Sequence, residues 1–215
     1  MVIKDKDFIE IEYTGSYKAD GTVFDTTDKK IAQEEDIYNE NATYGPKIVC
    51  IGEKNIIKGI DDFLKGKEPG IYELDVKPED AFGKKDPKLL KIVPTKAFTS
   101  NEIKPFPGLQ VNIDGMIGVI KTVSGGRTIV DFNHPLAGHE LHYKIKVNKI
   151  IEDDDLKLKT CLQVMLGEKE PRYENKDGIV EVRFKQEMPA EASKLIADKI
   201  KSLVPSVKDV KFVKG

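Results

Sequence analysis

Residues 51–66 read Ile51-Gly52-Glu53-Lys54-Asn55-Ile56-Ile57-Lys58-Gly59-Ile60-Asp61-Asp62-Phe63-Leu64-Lys65-Gly66, a short amphipathic helix in an unusual setting. Ile56 or Ile57, Ile60, Phe63 and Leu64 recur at steps of three and four, so they share one helical face, while Lys58, Asp61, Asp62 and Lys65 fall mostly on the other. Asn55 is placed to cap the start and Gly66 to end it. A helix of two or three turns is marginal alone, so this one must lie on a sheet that completes its apolar side. An isolated apolar stripe is most simply a core element, and the strands around it decide whether it is also a site.

On the N-terminal side, Ile9-Glu10-Ile11-Glu12-Tyr13 alternates with period two, as a half-buried strand does, with Ile9, Ile11 and Tyr13 inward and Phe8 on the opposite face. Asp20-Gly21 marks a hairpin turn, returning the chain through Thr22-Val23-Phe24-Asp25. Phe24 and Asp25 are adjacent, so both line one cleft only if the pairing bulges there. Residues 26–43 are polar and acidic and read as an exposed loop or short helix; Lys47-Ile48-Val49-Cys50-Ile51 reads as a strand leading into the helix. Beyond the helix, Pro69-Gly70 turns the chain into Ile71-Tyr72-Glu73-Leu74-Asp75-Val76, which reads as a central strand, and a loop follows through Ala81-Phe82-Gly83.

Between residues 84 and 131 the pattern changes to short strands and turns, with a helical turn at Asp86-Pro87-Lys88-Leu89-Leu90 and a hairpin tip at Ser124-Gly125-Gly126-Arg127. Such a run is too long for a loop inside a compact domain, so it predicts a small all-β unit of its own. The strictly alternating Leu141-His142-Tyr143-Lys144-Ile145-Lys146-Val147 then returns to the first sheet, which makes that first domain discontinuous, 1–84 plus 131–151, around an insert at 85–130. The acidic run 152–155 marks a boundary. Residues 152–215 read helix, strand, helix, strand, with Leu158, Cys161, Leu162 and Met165 on one helical face, Val180, Val182 and Phe184 in a strand, and Pro189 at the first position of a helix carrying Ala192, Leu195, Ile196, Ile200 and Leu203. Two strands and two helices make a marginal core, which predicts that residues 155–215 dock on the rest or pair with a second copy to form a homodimer.

Composition narrows the function. With 215 residues and 39% apolar content the chain is long enough for more than one real core. A net charge of -2, from 35 basic and 37 acidic residues, predicts no attraction to nucleic acid or an anionic membrane. The N-terminus lacks a signal-like apolar run and no later stretch is long enough to span a bilayer, so a cytoplasmic location is expected. Cys50 and Cys161 lie in different predicted units and read as buried free thiols. His134, His139 and His142 have no ligand spacing, and neither a metal nor a cofactor is expected.

Tyr13-Thr14-Gly15, Asp20-Gly21-Thr22-Val23-Phe24-Asp25-Thr26-Thr27, the helix at 51–66, Ala81-Phe82-Gly83 and Asn133-His134-Pro135-Leu136-Ala137-Gly138, in that order and spacing, resemble the FKBP-type peptidyl-prolyl isomerases, and within them the SlyD-type branch in an archaeal long-chain form with a C-terminal extension. The resemblance implies an α+β fold: an antiparallel half-barrel sheet wrapped on a short helix, with an inserted small all-β domain (the insert-in-flap domain) and a C-terminal α/β module. It puts Tyr13, Phe24, Ile56, Ile57, Ile60, Phe82 and Tyr143 at pocket-lining positions, Asp25 at the polar wall and the Ile57 N–H where it donates to a substrate carbonyl. It also implies that His134 and His139 shape a turn.

That inventory suits the chemistry. Rotation about an X-Pro imide must break amide resonance, a barrier of roughly 18–20 kcal/mol, and needs no nucleophile. A dry, aromatic-walled cleft with one or two polar groups disfavours the charge-separated planar form. Three departures stand out: Ile60 where many relatives carry Trp, Phe82 where Tyr is common, and the stretch 44–49 without the usual aromatic.

In the insert, Ile92, Phe98, Phe106, Leu109, Met116 and Ile117 are more apolar groups than so small a unit easily buries. With the resemblance, they imply a surface that holds unfolded polypeptide beside the cleft. The expected activity is therefore peptidyl-prolyl isomerisation joined to ATP-independent chaperoning of unfolded or proline-containing polypeptides. The alternatives are a holdase with a catalytically weak pocket, or a dimeric assembly scaffold.

Overall fold

Period-two patterning builds an antiparallel sheet of five strands, four from the first 76 residues and one from far beyond them: β1 (Phe8–Tyr17), β2 (Val23–Thr26), β3 (Lys47–Cys50), β4 (Gly70–Val76) and β9 (Leu141–Ile150). The computed structural model describes residues 1–184 and 188–214; residues 185–187 and 215, inside the module predicted over 152–215, lie outside the described residues. The fold class is α+β, with antiparallel pairing dominant. The order is β2-β1-β9-β4, with β3 beside the first half of β1 on the edge that β2 occupies further along.

β4 is thus an edge strand and not the central one expected, because β9 enters between it and β1. Alternation alone does not separate the two cases, since an edge strand with one wet face shows the same period. Its wet face is charged, Glu73 opposite Lys144 and Asp75 opposite His142, which discourages further strand addition there.

The helix α2 (Lys58–Leu64) covers one face of this sheet, Ile60 and Leu64 packing with Ile9, Ile11, Val76, Tyr143, Ile145 and Val147. Two expectations about it need correcting. Asn55 does not cap it: its Oδ1 accepts from the Cys50 N–H at 3.0 Å, the first helical turn begins after Ile57, and no side chain bonds there. Asp61 is not on a solvated face but is 6% exposed, because its carboxylate accepts the Gly52 N–H at 2.9 Å and 3.0 Å.

The opposite face of the sheet is covered as well. Phe8, Cys50 and Ile151 share a core with Leu158, Leu162, Val180, Val182, Ile200 and Val207 of the C-terminal elements. These are α4 (Asp154–Leu166), β10 (Arg172–Lys176), β11 (Ile179–Phe184), α5 (Ala190–Leu203) and β12 (Asp209–Lys214). β10 was not foreseen, since its Arg-Tyr-Glu-Asn-Lys has one apolar residue and is recognised only by its antiparallel ladder with β11. Pro189 stands one residue before its expected place, as the cap of α5, and Leu195 is 73% exposed instead of facing the core.

The segment between β4 and β9 carries a four-stranded antiparallel sheet, order β5-β8-β7-β6, from β5 (Leu90–Pro94), β6 (Gln110–Ile113), β7 (Met116–Ser124) and β8 (Arg127–Asp131). It is not purely β: α3 (Thr95–Thr99) turns Phe98 into a small core with Val111, Ile120 and Val130. Asn133 pins its two connections together, accepting from the Asp86 N–H at 2.8 Å and donating to the Asp86 carbonyl at 3.1 Å. Among the described residues no helix is long and apolar enough to cross a membrane.

Cys50 and Cys161 are both buried free thiols, and burial pushes each up to about 12. In the native protein both should resist a disulfide reagent at about pH 8 and react once the chain is unfolded, since only thiolate attacks; fast native labelling would contradict this packing. Phe8→Ala should lower the unfolding free energy by about 3–5 kcal/mol in urea titration, the usual cost of emptying a buried aromatic site. A loss below about 0.5 kcal/mol, as at an exposed position, would show that the C-terminal layer does not cover this face.

Candidate functional site

Above α2, Tyr13, Asp25, Lys54, Asn55, Ile56, Ile57, Ile60, Phe82 and Tyr143 line one open cavity of about 370 Å³. Seven of the eight residues expected at the cleft are therefore brought together. The eighth, Phe24, stands behind the wall: its ring meets Tyr143 edge-on at 5.9 Å and Tyr17 edge-on at 5.5 Å, and it lines a neighbouring cavity.

The side chains are delivered by five separate stretches of chain. Tyr13 comes from β1 and Tyr143 from β9, their centroids 6.3 Å apart, Ile56 and Ile57 from the turn that leads into α2, and Ile60 from its first turn. The bulge expected near Phe24 is present: Gly15 and Ser16 pair with Asp25 and Val23, which leaves Phe24 as the extra, unpaired residue of β2. It coincides with close approach, since a Cβ on Gly15 would lie 2.7 Å from Tyr143 Cε1 and 2.8 Å from Phe24 Cζ. Gly15 is therefore a site residue of a kind, the one that lets two rings meet edge-on over a strand, and its position in a strand interior was the available signal.

Gly59 acts similarly beneath the cavity: a Cβ there would lie 2.4 Å from Val76 Cγ1, so only glycine lets α2 sit this close to β4. The overhanging loop is held at both ends. Lys58 Nζ donates to Asp80 at 2.6 Å, and the Phe82 ring stacks on His134 at 4.4 Å with 5° between planes. His134 Nδ1 accepts from Leu136 N–H at 3.2 Å, and Gly138 N–H donates to the Gly83 carbonyl at 2.8 Å. His139 meets the Tyr17 ring edge-on at 5.0 Å, while His142 pairs with Asp75 at 2.8 Å on the wet face of the sheet.

The polar groups are few and fixed. The Tyr13 hydroxyl donates to Asp25 Oδ2 at 2.7 Å. Burial, then the bond to Asp25, raises the Tyr13 phenol well above its ordinary value; burial, then the Asp25 charge, does the same to Tyr143. Both phenols are thus donors throughout the accessible pH range. Among the described residues the Tyr143 hydroxyl and the Ile57 N–H donate to no group, which leaves two unengaged donors at the cavity wall. Lys54 and Asn55 also line it and were not foreseen, because their signal is positional: they sit in a turn whose shape comes from Asn55 and Asp61 bonding back to the 50–52 backbone.

In the insert, Phe98 is 4% exposed and Leu109 packs against the core it belongs to, so neither is part of an open surface as expected. Ile92, Phe106, Met116 and Ile117 are each half or more exposed. Ile92, its cross-strand partner Ile129 and Ile117 lie on the sheet face away from that core.

The FKBP-type peptidyl-prolyl cis-trans isomerase family matches residues 2–99, and the family described as FKBP26, IF domain matches residues 91–136. A "Short-type peptidyl-prolyl cis-trans isomerase" of Methanocaldococcus jannaschii is 30% identical over 150 residues, covering 69% of this chain and 94% of that protein. The "FKBP-type peptidyl-prolyl cis-trans isomerase SlyD" of Haemophilus influenzae is 34% identical over 102 residues, 45% of this chain and 53% of that one. An Escherichia coli "FKBP-type 16 kDa peptidyl-prolyl cis-trans isomerase" is 30% identical over 110 residues, 49% of this chain and 74% of that one.

Asp61→Ala should cost about 1–3 kcal/mol in chemical denaturation by leaving the Gly52 N–H without its acceptor, and should speed exchange of that amide, whereas Asp61→Asn should recover part of the loss. Equal stability of all three proteins would remove Asp61 as the anchor of the turn that carries Ile56 and Ile57.

Proposed function

Because this chain belongs to the FKBP-type peptidyl-prolyl cis-trans isomerases, we propose that the cavity over α2 is where it takes an X-Pro bond of an unfolded or partly folded polypeptide and twists it. The observation that carries this reading is the convergence of Tyr13, Asp25, Ile56, Ile57, Ile60, Phe82 and Tyr143 on one concavity from five separate stretches of chain. The proline ring rests on Ile60 and Ile57 between the aromatic walls. Water is displaced, and with it the solvation that favours the planar, charge-separated imide. Tyr143 hydroxyl and Ile57 N–H hold the carbonyls on either side of the bond, and the Tyr13–Asp25 pair is the fixed polar wall that orients the twisting one. No bond to the protein forms, and no metal or cofactor takes part. Ile60 makes the floor aliphatic, and the Phe82 ring closes the top through its stack on His134 without donating a hydrogen bond.

In this reading residues 1–84 plus 131–151 form the isomerase unit, 85–130 an inserted chaperone unit and 152–215 a C-terminal module. The exposed apolar set Ile92, Phe106, Met116 and Ile117 favours holding unfolded chain by apolar contact next to the cleft, which raises the local concentration of proline segments. A second copy of the chain docking through 155–215 is favoured by Leu195 on α5, 73% exposed, and Val164 on α4, 53% exposed.

Phe24→Ala and Asp25→Leu should each slow isomerisation of a short X-Pro peptide about tenfold or more, the equivalent of at least ~1.4 kcal/mol in the barrier, with circular dichroism unchanged. Undiminished turnover in both would take these residues out of the site. Replacing 86–130 by a short loop should leave turnover of the short peptide near normal while slowing refolding of a proline-limited protein; refolding at the original rate would refute the chaperone unit. Sedimentation of the full chain against Leu195→Lys tests the pairing surface, and a monomer in both cases would reject it.

A further inference from the structure

Beside the first cavity lies a second, of about 490 Å³, and Asp25 lines both. Its other walls include Phe24, Ile37, Tyr44 and Lys47, and one residue from far along the chain, Lys169. The rim is constructed, not a loose loop. Asp28 caps α1 (Lys29–Glu34) through bonds to the Lys30 and Ile31 N–H groups, Tyr38 and Tyr44 stack at 5.5 Å with 15° between planes, and the Tyr44 hydroxyl accepts the Asn39 N–H at 3.0 Å. Gly45 N–H closes the segment onto the Thr27 carbonyl at 2.7 Å. The segment after α4 reaches this rim directly, Lys169 Nζ donating to the Asn41 carbonyl at 3.0 Å.

The charge of the cavity is unbalanced. Among the described residues neither Lys47 nor Lys169 has a carboxylate within ion-pair distance. The Lys47 ammonium sits 5.6 Å from the Tyr13 ring centroid, at the divide between the cavities. The one carboxylate on the lining, Asp25, is engaged by the Tyr13 hydroxyl at that same divide. Two lysines against the single Asp25 carboxylate leave the lining with a net positive charge, which suits an anionic side chain.

We propose that this second cavity is a subsite of the isomerase cleft that takes an aspartate or glutamate flanking the X-Pro bond, with Lys47 and Lys169 as its specificity-determining residues. The inference rests on the isomerase reading above and adds a substrate class to it. An extended chain advances at most about 3.3–3.6 Å per residue, so a polypeptide with its proline over Ile60 that leaves past Asp25 brings a side chain into the second cavity within a few residues. The C-terminal elements thereby take part in choosing substrate, because one of the two cations is theirs.

The test compares kcat/KM of the full chain on proline peptides of one length that differ only in Glu or Gln at positions two residues before and two residues after proline. Exposed pairs of this kind are weak, so the Glu peptides should be favoured about two- to fivefold, and the preference should shrink as salt is raised. Lys169→Gln should lower the ratio of Glu-peptide to Gln-peptide turnover toward one. Lys169→Glu should reverse the preference. Equal turnover of Glu and Gln peptides by an active protein would overturn the subsite while leaving the isomerase reading intact, and a preference that survives Lys169→Gln combined with Lys47→Gln would overturn it as well. Failure to turn over either peptide would count against the isomerase reading and remove the premise of the subsite with it.

Discussion

Burial of a two-turn helix against a sheet is the constraint from which the rest of this structure follows. Seven residues of α2 supply too few hydrogen bonds to offset their nucleation cost, so the helix exists only where Ile60 and Leu64 find an apolar surface already assembled by β1, β4 and β9. Gly59 sets how closely the two approach, and the Asp61 carboxylate on the Gly52 N–H sets where the helix begins. The cavity is a by-product of that approach, the space left between the helix start and the aromatic residues Tyr13 and Tyr143 of β1 and β9. Its walls are held by contacts made for other reasons: Tyr143 packs in the main core, and Phe82 is stacked on His134.

A sheet used on one face by α2 leaves the other to be covered. Phe8, Cys50 and Ile151 would be wet without the C-terminal elements, and those elements, with a three-stranded sheet and two helices, would have little core without them. Each half completes the other. The turn at 53–55, where Lys199 pairs with Glu53, is shared between this back layer and the cavity wall, since Asn55 lines the cavity and Cys50 faces the back. Packing behind the sheet therefore bears on the residues in front of it.

The segment between β4 and β9 contrasts with this. Its core holds four buried residues, Phe98, Val111, Ile120 and Val130, and its far sheet face keeps Ile92 and Ile117 in water. A unit of that size cannot bury every apolar group it carries, which is the physical reason an open apolar surface persists there. Asn133 fastens its two connections to each other by bonding both ways to Asp86, alongside Phe132 N–H on the Leu89 carbonyl and Gly138 N–H on the Gly83 carbonyl.

Period alone was enough to read Ile9, Ile11, Tyr143, Ile145 and Val147 as inward residues, Asp20-Gly21 as a hairpin turn and Leu158, Cys161 and Leu162 as a helical face, because side-chain direction follows local geometry. The motifs around them carried the family, which the comparisons then bore out. Strand order, the inward turn of Phe98, the burial of Asp61 and the second ring wall at Phe24 were not legible, since each depends on a partner distant in sequence: β9 beside β4, Val130 over α3, Gly52 above Asp61, Tyr143 against Phe24. The sequence by itself determined which residues are apolar on which face, and hence which elements exist. Only the tertiary structure decided which faces meet, because an apolar face has no preference among apolar partners until shape, close glycine contacts and buried hydrogen bonds select one.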